Sequence, residues 1–229
     1  MLVSHELRTP LTSIRGYLDL VLDGEVGELN PEQRRFLDAV DRNSRRLLRL
    51  VGDLLFVAQA DAGRLSLEQA KVDLAGLAAD CVEAAAPAAA EKSINLVLSA
   101  RAVPAFVGDR GRLAQVLDNL VSNALKFTPE GGTVEVATKV YSDHISVEVS
   151  DTGIGIDEAD KARLFERFFR SAVAEEQAIP GTGLGLAIVK TIVESHKGQV
   201  RIKNAEGHGT TFSIDLPLGV QAERAVQAA

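Results

Sequence analysis

The chain carries one cysteine, Cys81, in 229 residues, which excludes an intrachain disulfide. Cys81 shares an apolar helical stripe with Leu74, Leu77 and Val82, so it reads as a core residue rather than a reactive thiol. Positive charge is also in short supply. Lys and Arg number 25 against 32 Asp and Glu, a formal net charge of −7, which argues against a nucleic-acid surface. No apolar run reaches the ~18 residues that a membrane-crossing helix needs. His5 and Glu6 interrupt the start, and no apolar core follows a basic one, so no signal peptide is expected and the chain reads as soluble. The histidines and carboxylates show no metal-ligand spacing. His144, His196 and His208 fall by a hairpin turn, at a helix end and in a turn, and read as surface residues. With 46% hydrophobic residues, the chain has enough apolar material for two modest domains.

Leu7, Leu11, Ile14, Leu18 and Val21 recur at steps of four and three, which predicts a helix over about 2–22 with one buried seam. His5 falls one residue beyond that seam, leaning toward solvent, with Glu6 beside it. An exposed neutral imidazole can act as a nucleophile, and a neighbouring carboxylate can orient it. Pro10 removes the amide bond back to the Glu6 carbonyl and should bend the helix there. After the glycines Gly24 and Gly27, Asn30-Pro31-Glu32-Gln33 restarts a helix with a cap and a proline in the first turn. That helix has two apolar rows, one of Phe36, Val40, Leu47, Leu50, Leu54 and Val57, the other of Leu37, Leu48, Val51 and Leu55. Two rows bury more than one neighbour, as in a four-helix bundle, and one hairpin supplies only two helices. A second copy of the chain, a homodimer, is therefore expected.

Asp61 to Arg64 marks a hinge, and a short charged linker follows. Downstream, helices near 73–91, 109–127, 164–169 and 183–196 alternate with strands near 94–98, 106–107, 134–140, 145–149, 200–202 and 211–216. Residues 171–180 read as irregular. The fold class is therefore α plus α/β: a helical hairpin (1–66), a two-layer α/β sandwich (67–219) and a polar tail (220–229).

Three stretches of the second domain carry chemistry. Asn119 and Asn123 stack on one helix face, and Lys126 is one step further. Two amides and an ammonium suit a triphosphate with its magnesium, the amide oxygen completing the ion's shell. Asp151-Thr152-Gly153-Ile154-Gly155 follows a strand, where a carboxylate can accept a hydrogen bond from an exocyclic amine. Gly181-Thr182-Gly183-Leu184-Gly185 runs into a helix whose free amides can meet phosphate oxygens. Neither glycine run has the spacing of a dinucleotide fingerprint or the lysine of a P-loop, and each alone could be a plain turn.

From Val3 to about Leu218 the chain resembles the catalytic core of sensor histidine kinases. Ser4-His5-Glu6-Leu7-Arg8-Thr9-Pro10 is similar to the phospho-acceptor box, 118–129 to the N box, 151–156 to the G1 box, Leu164–Arg170 to the F box and 181–186 to the G2 box. The resemblance implies a dimerisation and phosphotransfer hairpin followed by a GHKL-type ATP-binding domain. It implies that His5 is phosphorylated from ATP–Mg²⁺, with Glu6 handling the second imidazole proton and Asn123 holding magnesium. Asn119, Lys126, Asp151, Gly153, Gly155, Phe165, Gly181, Gly183, Leu184 and Gly185 would line the ATP site, and Arg167 or Arg170 would reach phosphate under a lid at 171–180. In Gly209-Thr210-Thr211-Phe212, Thr210 is favoured over Thr211 as support for Asp151. In related gyrase-type ATPases the position of Asn119 is a water-activating glutamate, and its absence favours transfer to a protein. The phosphoryl group would pass to an aspartate of a response-regulator receiver domain, and Thr9 implies a second, phosphatase activity on that regulator. Members normally extend the first helix upstream and are mostly membrane-anchored, with this portion in the cytoplasm; here four residues precede His5. A GHKL ATPase of another kind and a non-catalytic dimeric scaffold are the rival classes.

Overall fold

The computed structural model describes residues 2–177, 179–204 and 209–218, and of residues 2–9 and 11 the helical path alone. The chain divides into two compact units, Met1–Leu65 and Ser66–Ala229.

The first unit is a hairpin of α1 (Leu2–Leu22) and α2 (Pro31–Asp61). Helix α1 continues through Pro10. The start of α2 is fixed by a capping box: the Asn30 side chain accepts the Gln33 amide at 2.8 Å, and the Asn30 amide donates to Gln33 Oε1 at 3.0 Å. Arg34 Nη2 donates to the Leu22 carbonyl at 3.0 Å, tying the second helix to the exposed C-terminal end of the first. The two apolar rows of α2 part company. Leu37, Leu48, Val51 and Leu55 are half-buried. In the other row Phe36, Val40, Leu47 and Leu54 are exposed, as are Ile14, Tyr17 and Leu20 of α1, while Leu50 is half-buried and Val57 buried.

The second unit opens with β1 (Ala70–Val72), followed by α3 (Leu74–Glu91), β2 (Asn95–Ser99), β3 (Phe106–Gly108), α4 (Arg110–Phe127), β4 (Thr133–Val140) and β5 (His144–Asp151). Short helices α5 (Glu158–Lys161) and α6 (Ala172–Glu176) precede α7 (Gly185–Ser195), β6 (Gln199–Asn204) and β7 (Thr210–Pro217). Five strands form a mixed sheet in the order β2-β4-β5-β7-β6, with β2 parallel to β4 and the other pairs antiparallel; β1 and β3 form a separate antiparallel pair. Alternation sorts the sheet into two faces. Val134, Val136, Ile145, Val147, Val149, Phe212, Ile214 and Leu216 are buried. Against them lie the apolar faces of α4 (Leu113, Val116, Leu117, Leu120, Val121) and α7 (Ile188, Val189, Ile192), which are equally buried. This is a two-layer sandwich.

Two local expectations are corrected. Residues 164–169 are turns, not helix: Phe168 takes a left-handed φ of 62° and donates its amide to the Gly183 carbonyl at 2.9 Å, so a tertiary contact overrides the helical pattern. Residues 171–180 are not wholly irregular, because the Ser171 hydroxyl accepts the Ala174 amide at 3.3 Å and caps α6. Pro87 does not interrupt α3, whose small face (Ala78, Cys81, Ala89) is buried on both sides of it.

Candidate nucleotide site

Asp151 ends β5 and is 6% exposed. Its Oδ1 accepts the Gly153 amide at 2.9 Å and the Thr210 amide at 3.2 Å. Both bonds converge on Oδ1, so Oδ2 is the oxygen that can meet a ligand. Burial pushes the Asp151 carboxyl above the ordinary carboxylate range, against the opposing pull of those two amides. Thr210 thus supports Asp151 through its backbone; the Thr211 hydroxyl instead pairs with Ser150 Oγ at 2.9 Å.

The glycines after Asp151 are dictated by space. A Cβ on Gly153 would lie 2.5 Å from the Phe127 carbonyl oxygen, at the end of α4. Gly155 has φ +73°, and a Cβ there would lie 3.5 Å from the Gly209 amide nitrogen. The 151–155 turn is therefore wedged between the C-terminus of α4 and the start of β7.

Asn119 and Asn123 are half-buried on α4, and Lys126 is exposed on its last turn. A Cβ on Gly185 would sit 3.3 Å from Asn119 Oδ1, so the start of α7 lies directly on that amide. Leu184 occupies the N-cap of α7 and makes no side-chain cap hydrogen bond. The Leu184 amide instead bonds Thr182 Oγ1 at 3.3 Å. An uncapped helix start beside a pair of amides is an anion-binding arrangement. Gly183 has φ +71°, and a Cβ there would lie 2.5 Å from the Phe168 carbonyl carbon. The F-box and G2-box stretches are thus in backbone contact. Gly181 has open space around it.

Phe165 is half-buried, with Lys190 Nζ 5.9 Å from its ring. Arg167 is exposed. Arg170 is turned onto its own chain: Nη2 donates to the Ala174 carbonyl at 3.1 Å and to the Ile179 carbonyl at 2.7 Å. It braces the 171–180 segment. A groove of about 630 Å³ lies alongside, with an apolar floor from Cys81, Ala84 and Ala88 of α3; Ser122 and Lys126 of α4 and Ile179 and Pro180 also line it.

In the other unit, His5, Glu6 and Thr9 lie on the first turns of α1, Thr9 one helical turn beyond His5; their side chains lie outside the described residues.

One other expectation holds and two are corrected. Cys81 is core, as read: its thiol donates to Asp118 Oδ1 at 3.5 Å, and burial, then the Asp118 charge, push it up to about 12. His196 is not a surface residue but 6% exposed, bonded through both ring nitrogens. A lone histidine at a helix end gives no sequence signal of this, because its partner, Asp109, is 87 residues away. His144 is partly covered, stacked on Tyr141 at 4.5 Å and paired with Asp143 at 2.7 Å. His208 lies outside the described residues.

Comparison with known proteins places this geometry. Residues 2–63 match the family of the His Kinase A (phospho-acceptor) domain, and residues 108–220 match the histidine kinase-, DNA gyrase B- and HSP90-like ATPase family. The circadian input-output histidine kinase CikA of Synechococcus elongatus is 38% identical over 218 residues, covering 94% of this chain. The chain spans 29% of that relative's length. Among solved structures, full-length ShkA in complex with AMPPNP is similar at a TM-score of 0.79 and 34% identity, covering 94% of this chain and 44% of that one. The mycobacterial sensor histidine kinase MprB is similar at a TM-score of 0.58 and 31% identity, over 66% of this chain and 97% of that one.

Proposed function

The chain belongs to the sensor histidine kinases, and from that membership we propose that its second unit binds ATP with magnesium and that His5 of the first receives the γ-phosphoryl group. The observation that carries this reading is the convergence of three sequence-distant stretches: Asp151 at one end of α4, Asn119 against Gly185, and the uncapped start of α7 held by the Gly183–Phe168 contact.

Each group has a chemical task. Asp151 Oδ2 accepts a hydrogen bond from the exocyclic amine of adenine, which guanine cannot supply in that place. Gly153 and Gly209 let the turn pack directly on the Phe127 and Asp151 backbone, and Gly155 supplies its left-handed φ, which together hold the Asp151 carboxylate in place. The first amides of α7 and the Lys126 ammonium offset phosphate charge. The half-buried Asn123 amide offers one oxygen to magnesium, which suits an ion that keeps waters and phosphate oxygens for its other positions. The bound ion supplies charge neutralisation at the phosphates. Arg167, exposed beside the site, is the arginine we assign to phosphate; Arg170 braces 171–180. Catalysis of this kind is mostly positioning plus electrostatics, with little covalent work for the protein.

His5 attacks phosphorus through one imidazole nitrogen, the bond to the ADP leaving oxygen breaks, and Glu6 takes or orients the proton on the other nitrogen. The phosphohistidine then donates to an aspartate of a response-regulator receiver domain. Thr9 serves the reverse task, orienting water for regulator dephosphorylation. The exposed row Phe36, Val40, Leu47 and Leu54, with Ile14 and Tyr17, is buried by a second copy of the hairpin.

Titration calorimetry with ATP and GTP, with and without Mg²⁺, tests the nucleotide half of the reading. ATP should bind in preference to GTP, and Asn123→Ala should abolish the magnesium dependence. Equal binding of the two nucleotides would overturn the assignment of Asp151.

A further inference from the structure

His196, at the C-terminal end of α7, and Asp109, the N-cap of α4, are joined by a bond that the nucleotide chemistry does not require. The Asp109 amide donates to His196 Nε2 at 3.0 Å. That nitrogen must be unprotonated, so the ring proton sits on Nδ1 and is donated to the Ile192 carbonyl at 2.8 Å. Neither nitrogen is available for other work. The ring is 6% exposed and tilted against Phe106 at 6.0 Å. Gly108 lets the backbone come this close: a Cβ there would lie 2.6 Å from Phe106 Cε1 and 2.8 Å from His196 Cδ2.

Asp109 is engaged on three sides. Its Oδ1 accepts the Arg112 amide at 3.0 Å, capping α4. Its Oδ2 accepts the Glu68 amide at 3.0 Å, catching the segment by which the chain enters the second unit. The carboxyl is held below its ordinary range: burial works against ionisation, and the amides of Arg112 and Glu68, with the charge of Arg112, outweigh it. An imidazolium would favour that carboxylate, but its Nε2 proton would collide with the Asp109 N–H, so the hydrogen bond requires the neutral ring.

The second contact of the same helix pair is that of Asn119, midway along α4, with Gly185 at the start of α7. Helices α4 and α7 therefore run antiparallel and are pinned at two points roughly three turns apart. One pin lies in the nucleotide site. The other is the His196–Asp109 bond.

We propose that His196 is a positioning residue for the nucleotide site: by accepting the Asp109 amide it sets the register of α4 against α7, and through the Asp109 carboxylate it ties that register to Glu68. The proposal rests on the nucleotide reading above and extends it to regulation. Movement of the segment at Ser66–Gln69 is felt at the cap of the helix that carries Asn119, Asn123 and Lys126, without any contact between that segment and nucleotide.

The test uses the full chain with His196→Phe and His196→Gln. Phenylalanine fills the ring's space and offers no acceptor, whereas the glutamine Oε1 can accept at the reach of Nε2. ATP–Mg²⁺ affinity should fall roughly tenfold in His196→Phe, the scale of one lost buried hydrogen bond, and return to within about threefold of the parent in His196→Gln. Hydrogen exchange at the Glu68 and Asp109 amides should quicken in the first variant and not in the second. Gly108→Ala, which displaces the imidazole without altering it, should quicken the same two amides, and it decides the matter if His196→Phe does not fold. Parental affinity and exchange in His196→Phe would overturn the proposal, as would equal loss in both variants, because ring packing would then be the cause. If the parent binds no ATP, the nucleotide reading fails, and exchange at Glu68 and Asp109 still decides whether the clamp exists.

Discussion

At the residue scale, Asp151 carries a burden that folding alone would not select. Its carboxyl is buried, and its pKa lies above the ordinary value. Between the ordinary and the raised pKa, the folded chain keeps a proton that the unfolded chain has lost. Stability from this group is therefore greatest at low pH and falls as pH rises through that window. Asn in its place keeps an acceptor for the Gly153 and Thr210 amides and removes the buried charge. Asp151→Asn should hold or raise the melting temperature at neutral pH while weakening ATP binding by about tenfold to a hundredfold. Calorimetry on one sample reads both quantities. A parallel loss of stability and binding would mean that Asp151 is structural. In the parent, ATP affinity should fall on acidification, because the protonated carboxyl no longer accepts cleanly from the adenine amine. Thr9 makes a separate expectation: Thr9→Ala should leave phosphorylation intact and slow dephosphorylation of the regulator, which fails if the variant dephosphorylates it as fast as the parent.

Residues also show what a sequence can and cannot reveal. The shared helix face of Asn119 and Asn123 is visible in their spacing, and the turn after Asp151 in its glycines, because each signal is local. His196 gives no such signal, since its partner lies 87 residues away and its surroundings are those of any helix end. Nor does Arg170 reveal in sequence that its Nη2 donates to the Ala174 and Ile179 carbonyls, contacts set by the path of the chain after it.

At the scale of elements, the site is made where loops meet helix ends. The strand hairpin β4–β5 and the helices α2 and α4 were legible because period, caps and turns agree along the chain. The F-box stretch was not, because Phe168 gives up helical geometry for the bond to Gly183. That junction is testable. Gly183→Ala meets both the left-handed φ of +71° and the Phe168 backbone, and should cost about 1–3 kcal/mol locally. Nucleotide affinity should drop more than the melting temperature, because the sheet core of Val134, Val149 and Ile214 is untouched. In the hairpin, Asn30→Ala removes the capping box and should cost about 1 kcal/mol of α2 stability by denaturant titration.

At the scale of the whole molecule, the chain divides into two units, and the proposed function gives the acceptor to the first and the donor to the second. The hairpin leaves Phe36, Val40, Leu47 and Leu54 exposed, a stripe that water does not favour. Val40→Glu with Leu47→Glu should convert a dimer to a monomer by light scattering and leave ATP binding by the second unit unchanged. Among the described residues no helix is long and apolar enough to cross a membrane. The measurement that bears most directly on the account is incubation with γ-labelled ATP and Mg²⁺, parent beside His5→Gln, followed by acid and base treatment of the protein. The parent should carry label that is lost in acid, survives base and is missing from His5→Gln. Label that persists in His5→Gln, or phosphate released steadily to water with no labelled protein, would contradict it.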